Sequence, residues 1–327
     1  MTTVVTGSTG HLGEALVRTL RADGEAVVGV DMRPGPWTDR VGRIEDVDFA
    51  RDVLAGARSV LHAATLHKPH VVTHSRQQFV DANISGTLTL LEAAVNANVG
   101  AFVFVSTTSM FGRAMRPGPD VPAVWVTEDL RPVSRNIYGV TKTAAEEICS
   151  LVHVRDGLPI LILRTSRFFP EIDDDEKRRA ALEDTNLKTV EFLNRRADIE
   201  DIVDAVRLAK AKAPELGFDR FIITATTPFQ PEDAAELRGR AADVLARRVP
   251  DAPAMLAELG WTITPDFDRV YDNALARARL GWAPRHDFAS TLARVAETGE
   301  WRSPLAVEIG RKGYHEKVFA DGPFPVE

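Results

Sequence analysis

Residues 4–20, VVTGSTGHLGEALVRTL, run from a β-branched apolar stretch through three glycines into an amphipathic one. Few folds accept a strand that turns so sharply into a helix. Of Gly7, Gly10 and Gly13, one permits the tight turn and one lets backbone approach a pyrophosphate. The third lets the helix lie close on the strand. The helix N-terminus then offers amide groups and partial positive charge to phosphates. Thr9, His11 and Leu12 belong to the same expected contact. The spacing is Gly-x-x-Gly-x-x-Gly rather than Gly-x-Gly-x-x-Gly, and its place between strand and helix gives it weight.

The alternation continues for about 165 residues. TTVVT (2–6), AVVGVD (26–31), SVLHAA (59–64), FVFVS (102–106) and PILIL (159–163) read as strands, short and rich in Val and Ile. Between them, HLGEALVRTLRAD, DFARDVLAGA, ISGTLTLLEAAVNAN and YGVTKTAAEEICSLVHV carry apolar residues at helical spacing. Such a pattern predicts an α/β fold: a Rossmann-type, doubly wound parallel sheet with helices on both faces. Later, 197–213 reads as a helix and 220–226 as a strand, while EIDDDEKRRA (171–180) reads as a solvated loop. The expected division is a dinucleotide-binding domain over 1–165, with 201–227 returning to it. A smaller C-terminal substrate lobe takes 166–200 and 228–327.

Composition narrows the function class. A net charge of −7 with scattered basic residues gives no nucleic-acid footprint. A single cysteine, Cys149, excludes an internal disulfide framework. The start MTTVVTGSTG lacks a basic segment and a long apolar stretch, and no window is long enough to span a bilayer. The expectation is a cytoplasmic protein with no membrane partner.

Asp31 closes the second strand, eighteen residues beyond Gly13, where an acid is expected on the ribose hydroxyls. A carboxylate there repels a 2′-phosphate and favours NAD over NADP, an inference that nearby Arg33 blunts.

An ordered set of motifs follows: HAAT (62–65), NISGT (83–87), STTSMFG (106–112), YGVTK (138–142) and LGWAPR (280–285). With the glycine turn, this series resembles the extended short-chain dehydrogenase/reductase family, the NAD-dependent epimerases and dehydratases, along nearly the whole chain. The resemblance implies a catalytic set of Thr107, Tyr138 and Lys142. Tyr138 moves the alcohol proton, Thr107 bonds the reacting oxygen, and Lys142 lowers the phenol's pKa and binds the nicotinamide ribose. An ammonium one helical turn from a phenol does favour phenolate. It also implies dinucleotide contacts at Ala63, Ala64, Thr65, Asn83 and Arg164. For the adenine, Arg43 replaces the usual aspartate, so recognition falls to backbone at Ile44 or to stacking by Arg43.

Departures from the family restrict the substrate. Thr108 and Ser109 stand where dehydratases carry an Asp-Glu pair, so loss of water lacks its acid. Arg167 replaces an asparagine, and Arg196 is followed by ADIED rather than a basic-aromatic tract, which disfavours a nucleotide-linked sugar. An arginine suits a carboxylate or phosphate, and SRFFPE resembles the uronate dehydrogenase segment that holds a sugar acid. Substrate contacts are thus expected from His67, Thr108, Ser109, Arg167 and Phe168. His67, His70 and His74 include an i,i+4 pair, but no acid stands nearby and the expectation is no metal.

The expected function is hydride transfer at a secondary alcohol of a sugar-like or sugar-acid substrate. One alternative is a nucleotide-sugar 4-epimerase with tightly held NAD; another is a non-catalytic dinucleotide sensor. Helices over 83–97 and 138–155 resemble those through which relatives dimerise, so a homodimer is expected.

Overall fold

The computed structural model describes residues 2–173 and 175–313. Its strands are β1 (Thr2–Thr6), β2 (Val27–Asp31), β3 (Arg40–Val41), β4 (Ala57–His62), β5 (Ala101–Thr107), β6 (Val124–Val126), β7 (Ile160–Thr165), β8 (Phe218–Ile223) and β9 (Arg269–Tyr271). Seven of them form one sheet in the order β3-β2-β1-β4-β5-β7-β8, and every neighbouring pair is parallel. β6 and β9 pair in parallel by themselves, a contact across 145 positions that no local pattern announces.

The helices of the first half are α1 (His11–Ala22), α2 (Val47–Leu54), α3 (Arg76–Val80), α4 (Gly86–Asn96) and α5 (Ile137–Asp156). Those of the second are α6 (Glu176–Ala181), α7 (Asp184–Glu191), α8 (Ile199–Leu216), α9 (Ala241–Arg248), α10 (Ala252–Glu258), α11 (Ala274–Leu280), α12 (Phe288–Thr298) and α13 (Pro304–Ile309). Strand alternation sorts the core into two layers. Val5, Leu61, Val103 and Leu161 meet α1, α8 and α11 on one face. Val4, Val60, Phe102 and Ile160 meet α2, α4 and α5 on the other. A third core, with Phe192, Phe229, Leu237, Phe267, Phe288 and Trp301, draws mainly on the C-terminal half, with Ala123 added from the first.

The chain leaves β1 for β2 and β3 on one side, then crosses back to β4 on the other. The carboxyl ends of β1 and β4 therefore flank the point where strand order reverses, where open α/β sheets bind ligands. His62 fixes this point from inside. Its Nδ1 lies 2.8 Å from Thr6 Oγ1 and its Nε2 lies 3.0 Å from Thr87 Oγ1. Burial, with Lys142 adding to it, pushes the imidazole down to about 3, so it is a neutral strut.

One expectation needs correction. The run 171–180 is not simply a solvated loop: Asp173 is buried and 176–181 form α6, because Arg167 and Arg178 supply the carboxylate with partners. The helix expected over 197–213 is present, and the acids of ADIED do more than open it. Asp198 accepts bonds from the Ser303 amide (3.0 Å) and hydroxyl (2.6 Å). Asp201 accepts from the amides of Arg285 (2.8 Å) and His286 (3.0 Å). They fasten the C-terminal segment to the head of α8.

Candidate active site

At the reversal point a cavity of about 1120 Å³ opens, lined by Gly7, Thr9, Gly10, His11, Leu12 and Gly13. Gly7 takes a φ of +79°, and a Cβ there would stand 2.8 Å from the Ala64 amide nitrogen. A Cβ on Gly13 would fall 1.9 Å from the Gly7 carbonyl oxygen. Only glycine fits either position, so the turn is a cradle of bare backbone at the head of α1. This is the environment a pyrophosphate needs.

Asp31 is tied to that turn. Its Oδ2 accepts from the Thr9 amide (3.1 Å) and hydroxyl (2.8 Å), and its Oδ1 from the Arg33 amide (3.0 Å). Arg33, Arg43 and Ile44 line the same end of the cavity, with Arg43 held by Glu45 at 2.6 Å. Ala63, Ala64 and Thr65 continue the wall from β4.

The reacting end is built by β5 and α5. Tyr138 stands in the first turn of α5, behind the Asn136 cap that accepts from the Gly139 amide at 3.1 Å. Tyr138 and Thr107 are 7% and 8% exposed, side by side on the cavity lining. Burial pushes the phenol up to about 12, with the Thr107 side chain opposing. Lys142 lies beneath. Its Nζ donates to the Val105 carbonyl at 2.6 Å and sits 3.9 Å from the Phe104 ring centroid. Burial lowers the ammonium to about 7, against the pull of Glu146. Burial governs both groups here, raising the phenol and lowering the ammonium.

Two further expectations are corrected. Arg164 does not reach the cavity. Strand alternation turns it toward α5, where Glu146 holds it at 2.8 Å and it donates to the Glu128 carbonyl at 2.8 Å. Asn83 also stays behind the wall, in a π-turn over Asp81–Ser85 that joins α3 to α4. Its carboxamide accepts from the Leu66 amide and donates to the Leu66 carbonyl, each at 2.8 Å, so it shapes the loop after β4.

His67, Thr108, Ser109, Arg167 and Phe168 all line the cavity. Arg167, however, is already engaged by Asp173 and lies 3.6 Å from Glu191. Glu191 is the hub of a buried network: Arg178 and Arg195 reach it at 2.9 Å and Arg196 at 2.6 Å. Burial would raise this carboxyl, yet Arg196, Arg167 and Arg178 hold it at about 2. His67, His70 and His74 stack edge to face, with ring centroids 4.5 and 5.2 Å apart. Among the described residues, no three His, Cys, Asp or Glu side chains are placed to hold a metal.

Several lining residues carried no signal that set them apart in the sequence. Ser166 is buried on the wall, and its hydroxyl lacks a hydrogen-bond partner among the described residues. Glu171, which stands 2.9 Å from His11 Nε2, was one acid among many in a charged stretch. Arg135, three residues before Tyr138, was legible only by its neighbour.

A parallel sheet reversing beside a glycine cradle, with a phenol and a threonine hydroxyl at the far wall, defines a dinucleotide-binding fold of Rossmann type. The chain belongs to the NAD dependent epimerase/dehydratase family, which matches residues 3–213. It is 28% identical over 335 residues to a dTDP-glucose 4,6-dehydratase of Streptomyces niveus, covering 92% of each chain. It is 32% identical over 170 residues to a UDP-glucose 4-epimerase of Rhizobium meliloti, covering 49% of this chain and 50% of that one. The match to an uncharacterised protein of Sinorhizobium fredii spans 40% of that protein's length. In fold it resembles a short-chain dehydrogenase/reductase superfamily protein from Agrobacterium tumefaciens with bound NAD. The TM-score is 0.64 at 24% identity, over 91% of this chain and 96% of that one. NAD is the cofactor of this family, and the backbone cradle fits it.

Proposed function

We propose that the chain transfers hydride at a secondary alcohol of a sugar-like or sugar-acid substrate, with Tyr138 as acid/base. The observation that supports this most is that Tyr138 and Thr107 stand together on the wall of a cavity that also contains the glycine cradle. Bound NAD supplies the hydride acceptor at its nicotinamide ring. Held protonated by burial, Tyr138 is set to donate to a carbonyl oxygen and, in reverse, to take the alcohol proton. Thr107 holds that oxygen in line. Lys142, poised near neutrality, is the ammonium that favours phenolate once the alcohol proton has to leave. Gly7, Gly10 and Gly13 hold the pyrophosphate, and Asp31 the ribose hydroxyls.

Thr108 and Ser109 offer hydroxyls where an eliminating enzyme needs a carboxylic acid, which argues against dehydration. Arg196 is fully buried on Glu191 and donates to the Phe169 carbonyl at 3.1 Å, which argues against its gripping a nucleotide diphosphate. We place the protein in the cytoplasm as a homodimer. Support comes from Leu88 on α4 and from Val140, Leu151 and Val154 on α5, all exposed. Light scattering of the purified protein reads the oligomer directly. Among the described residues no helix is long and apolar enough to cross a membrane.

The test is turnover with NAD and a panel of free sugars and uronates. Accumulating NADH absorbance marks a net dehydrogenase; inversion at a carbon without absorbance change marks the epimerase. Tyr138→Phe is expected to lower kcat about 10²- to 10⁴-fold while NAD binding persists. A variant that binds NAD and turns over like the parent would leave only a sensor of the dinucleotide.

A further inference from the structure

Glu146 is outside the cavity lining and the catalytic trio, yet it is tied to both elements that carry the trio. It stands on α5 four residues after Lys142 and eight after Tyr138, so one stripe of the helix bears all three. Its carboxylate is buried. Oε1 accepts from the Ser106 hydroxyl at 2.5 Å, and Oε2 from Arg164 Nη2 at 2.8 Å. Arg164 Nε adds bonds of 3.2 and 3.1 Å to the two oxygens, and Arg220 Nε of β8 stands 3.5 Å from Oε2.

Ser106 sits on β5 between Thr107 and Val105, whose carbonyl takes the Lys142 ammonium at 2.6 Å. The Ser106 carbonyl in turn accepts from Thr165 Oγ1 of β7 at 3.0 Å. Arg164 carries the bonding on to the Glu128 carbonyl at 2.8 Å, and Glu128 Oε1 accepts from the Ile222 amide of β8 at 2.7 Å. The network thus stitches α5 to β5, β7 and β8 one helical turn past Lys142. A buried ion pair adds little stability over apolar packing of equal volume. Hydrogen bonds to a carboxylate have direction, however, and methyl contacts do not. Apolar packing would let α5 shift along the sheet, and an error of about 1 Å is costly where side chains must meet a bound ring.

We propose that Glu146 is the positioning residue of the reacting end: bonded to Ser106 and Arg164, it fixes α5 against β5 so that Lys142 and Tyr138 meet the nicotinamide half of the dinucleotide. It acts through those two side chains and touches neither cofactor nor substrate. This rests on the hydride-transfer reading above, in which Lys142 serves the reacting end, and its test is a binding measurement that needs no turnover.

Calorimetric titration of the full chain with NAD and with ADP separates positioning from general support of the fold. ADP carries the adenosine and both phosphates but lacks the nicotinamide half. Glu146→Gln keeps the volume and should weaken NAD about tenfold, the loss of one charge-assisted bond, while ADP binds within about twofold of the parent. Ser106→Ala removes the stitch to β5 and leaves the ion pair, so NAD should weaken about threefold with ADP again unchanged. Glu146→Gln decides the matter where it folds, and Ser106→Ala decides it otherwise. NAD affinity equal to the parent's, or NAD and ADP weakened alike, overturns the positioning role. A Lys142→Met variant that binds NAD like the parent would defeat that lysine's contact alone, and the ratio of NAD to ADP affinity would still decide the anchor. A Tyr138→Phe variant that keeps full turnover would defeat the hydride-transfer reading without moving that ratio.

Discussion

Where the cavity meets β1 and β4 its wall is backbone and small side chains, at Gly7, Gly10, Gly13, Ala63 and Ala64. Where it meets the third core its wall is guanidinium and carboxylate, at Arg167, Asp173, Arg178, Glu191 and Arg196. The first wall is specified by what must be absent, since a Cβ at Gly13 has nowhere to go. The second is specified by what must be paired, since each buried charge needs its opposite. The difference separates recognition by shape, common to every dinucleotide, from recognition by charge, open to change with the substrate. It also separates how each wall fails.

The charged wall should fail by unfolding. Glu191→Gln keeps the volume but leaves four arginines short of an acceptor, and is expected to reduce stability by about 3 to 5 kcal/mol in urea denaturation. A loss below about 1 kcal/mol would mean that Asp173 alone suffices. The backbone wall should fail in binding instead. Gly13→Ala drives a methyl into the Gly7 carbonyl and is expected to weaken NAD about tenfold or more by fluorescence titration, with the sheet intact by circular dichroism. Should NAD bind that variant normally, the cradle is not where the pyrophosphate lies.

The seam between the walls gives the smallest effect and a sign. Burial brings Lys142 from 10.5 to about 7, so between those values the unfolded chain holds a proton that the native one has released. Stability contributed here grows as pH rises from 7 to 10.5, and the penalty is complete below 7. Lys142→Met should therefore melt higher than the parent at pH 6, with the gap closing toward pH 10.5. A gap that ignores pH would show that the ammonium's bond to Val105 offsets its burial.

The same contrast explains what the sequence made legible. The glycine turn, Asp31, Thr107 and Tyr138 are set by local elements, each at the carboxyl end of a strand or in the first turn of a helix. Spacing placed Lys142 on the helix face of Tyr138 but could not weigh burial, which turned its Nζ to the Val105 carbonyl. Arg164, a contact implied by resemblance alone, faces away from the cavity that its neighbour Thr165 lines, because alternation sends adjacent strand residues to opposite sides. Glu191 looked like any helical acid. Its role exists only once β7's exit and the residues before α8 lie side by side, where Arg167 and Arg196 form a parallel bridge. Pairing of that kind is decided by tertiary contact, and period and propensity do not encode it.

Lys312 reaches back to Glu14 across 298 residues of chain, while its amide donates to Glu171, the carboxylate beside His11. Loop closure over such a distance is entropically slow, so this latch is expected to engage after the sheet has formed. The chain's opening motif thus waits for residues near its other end, and a protein arrested before that closure would hold a finished scaffold around an unfinished grip.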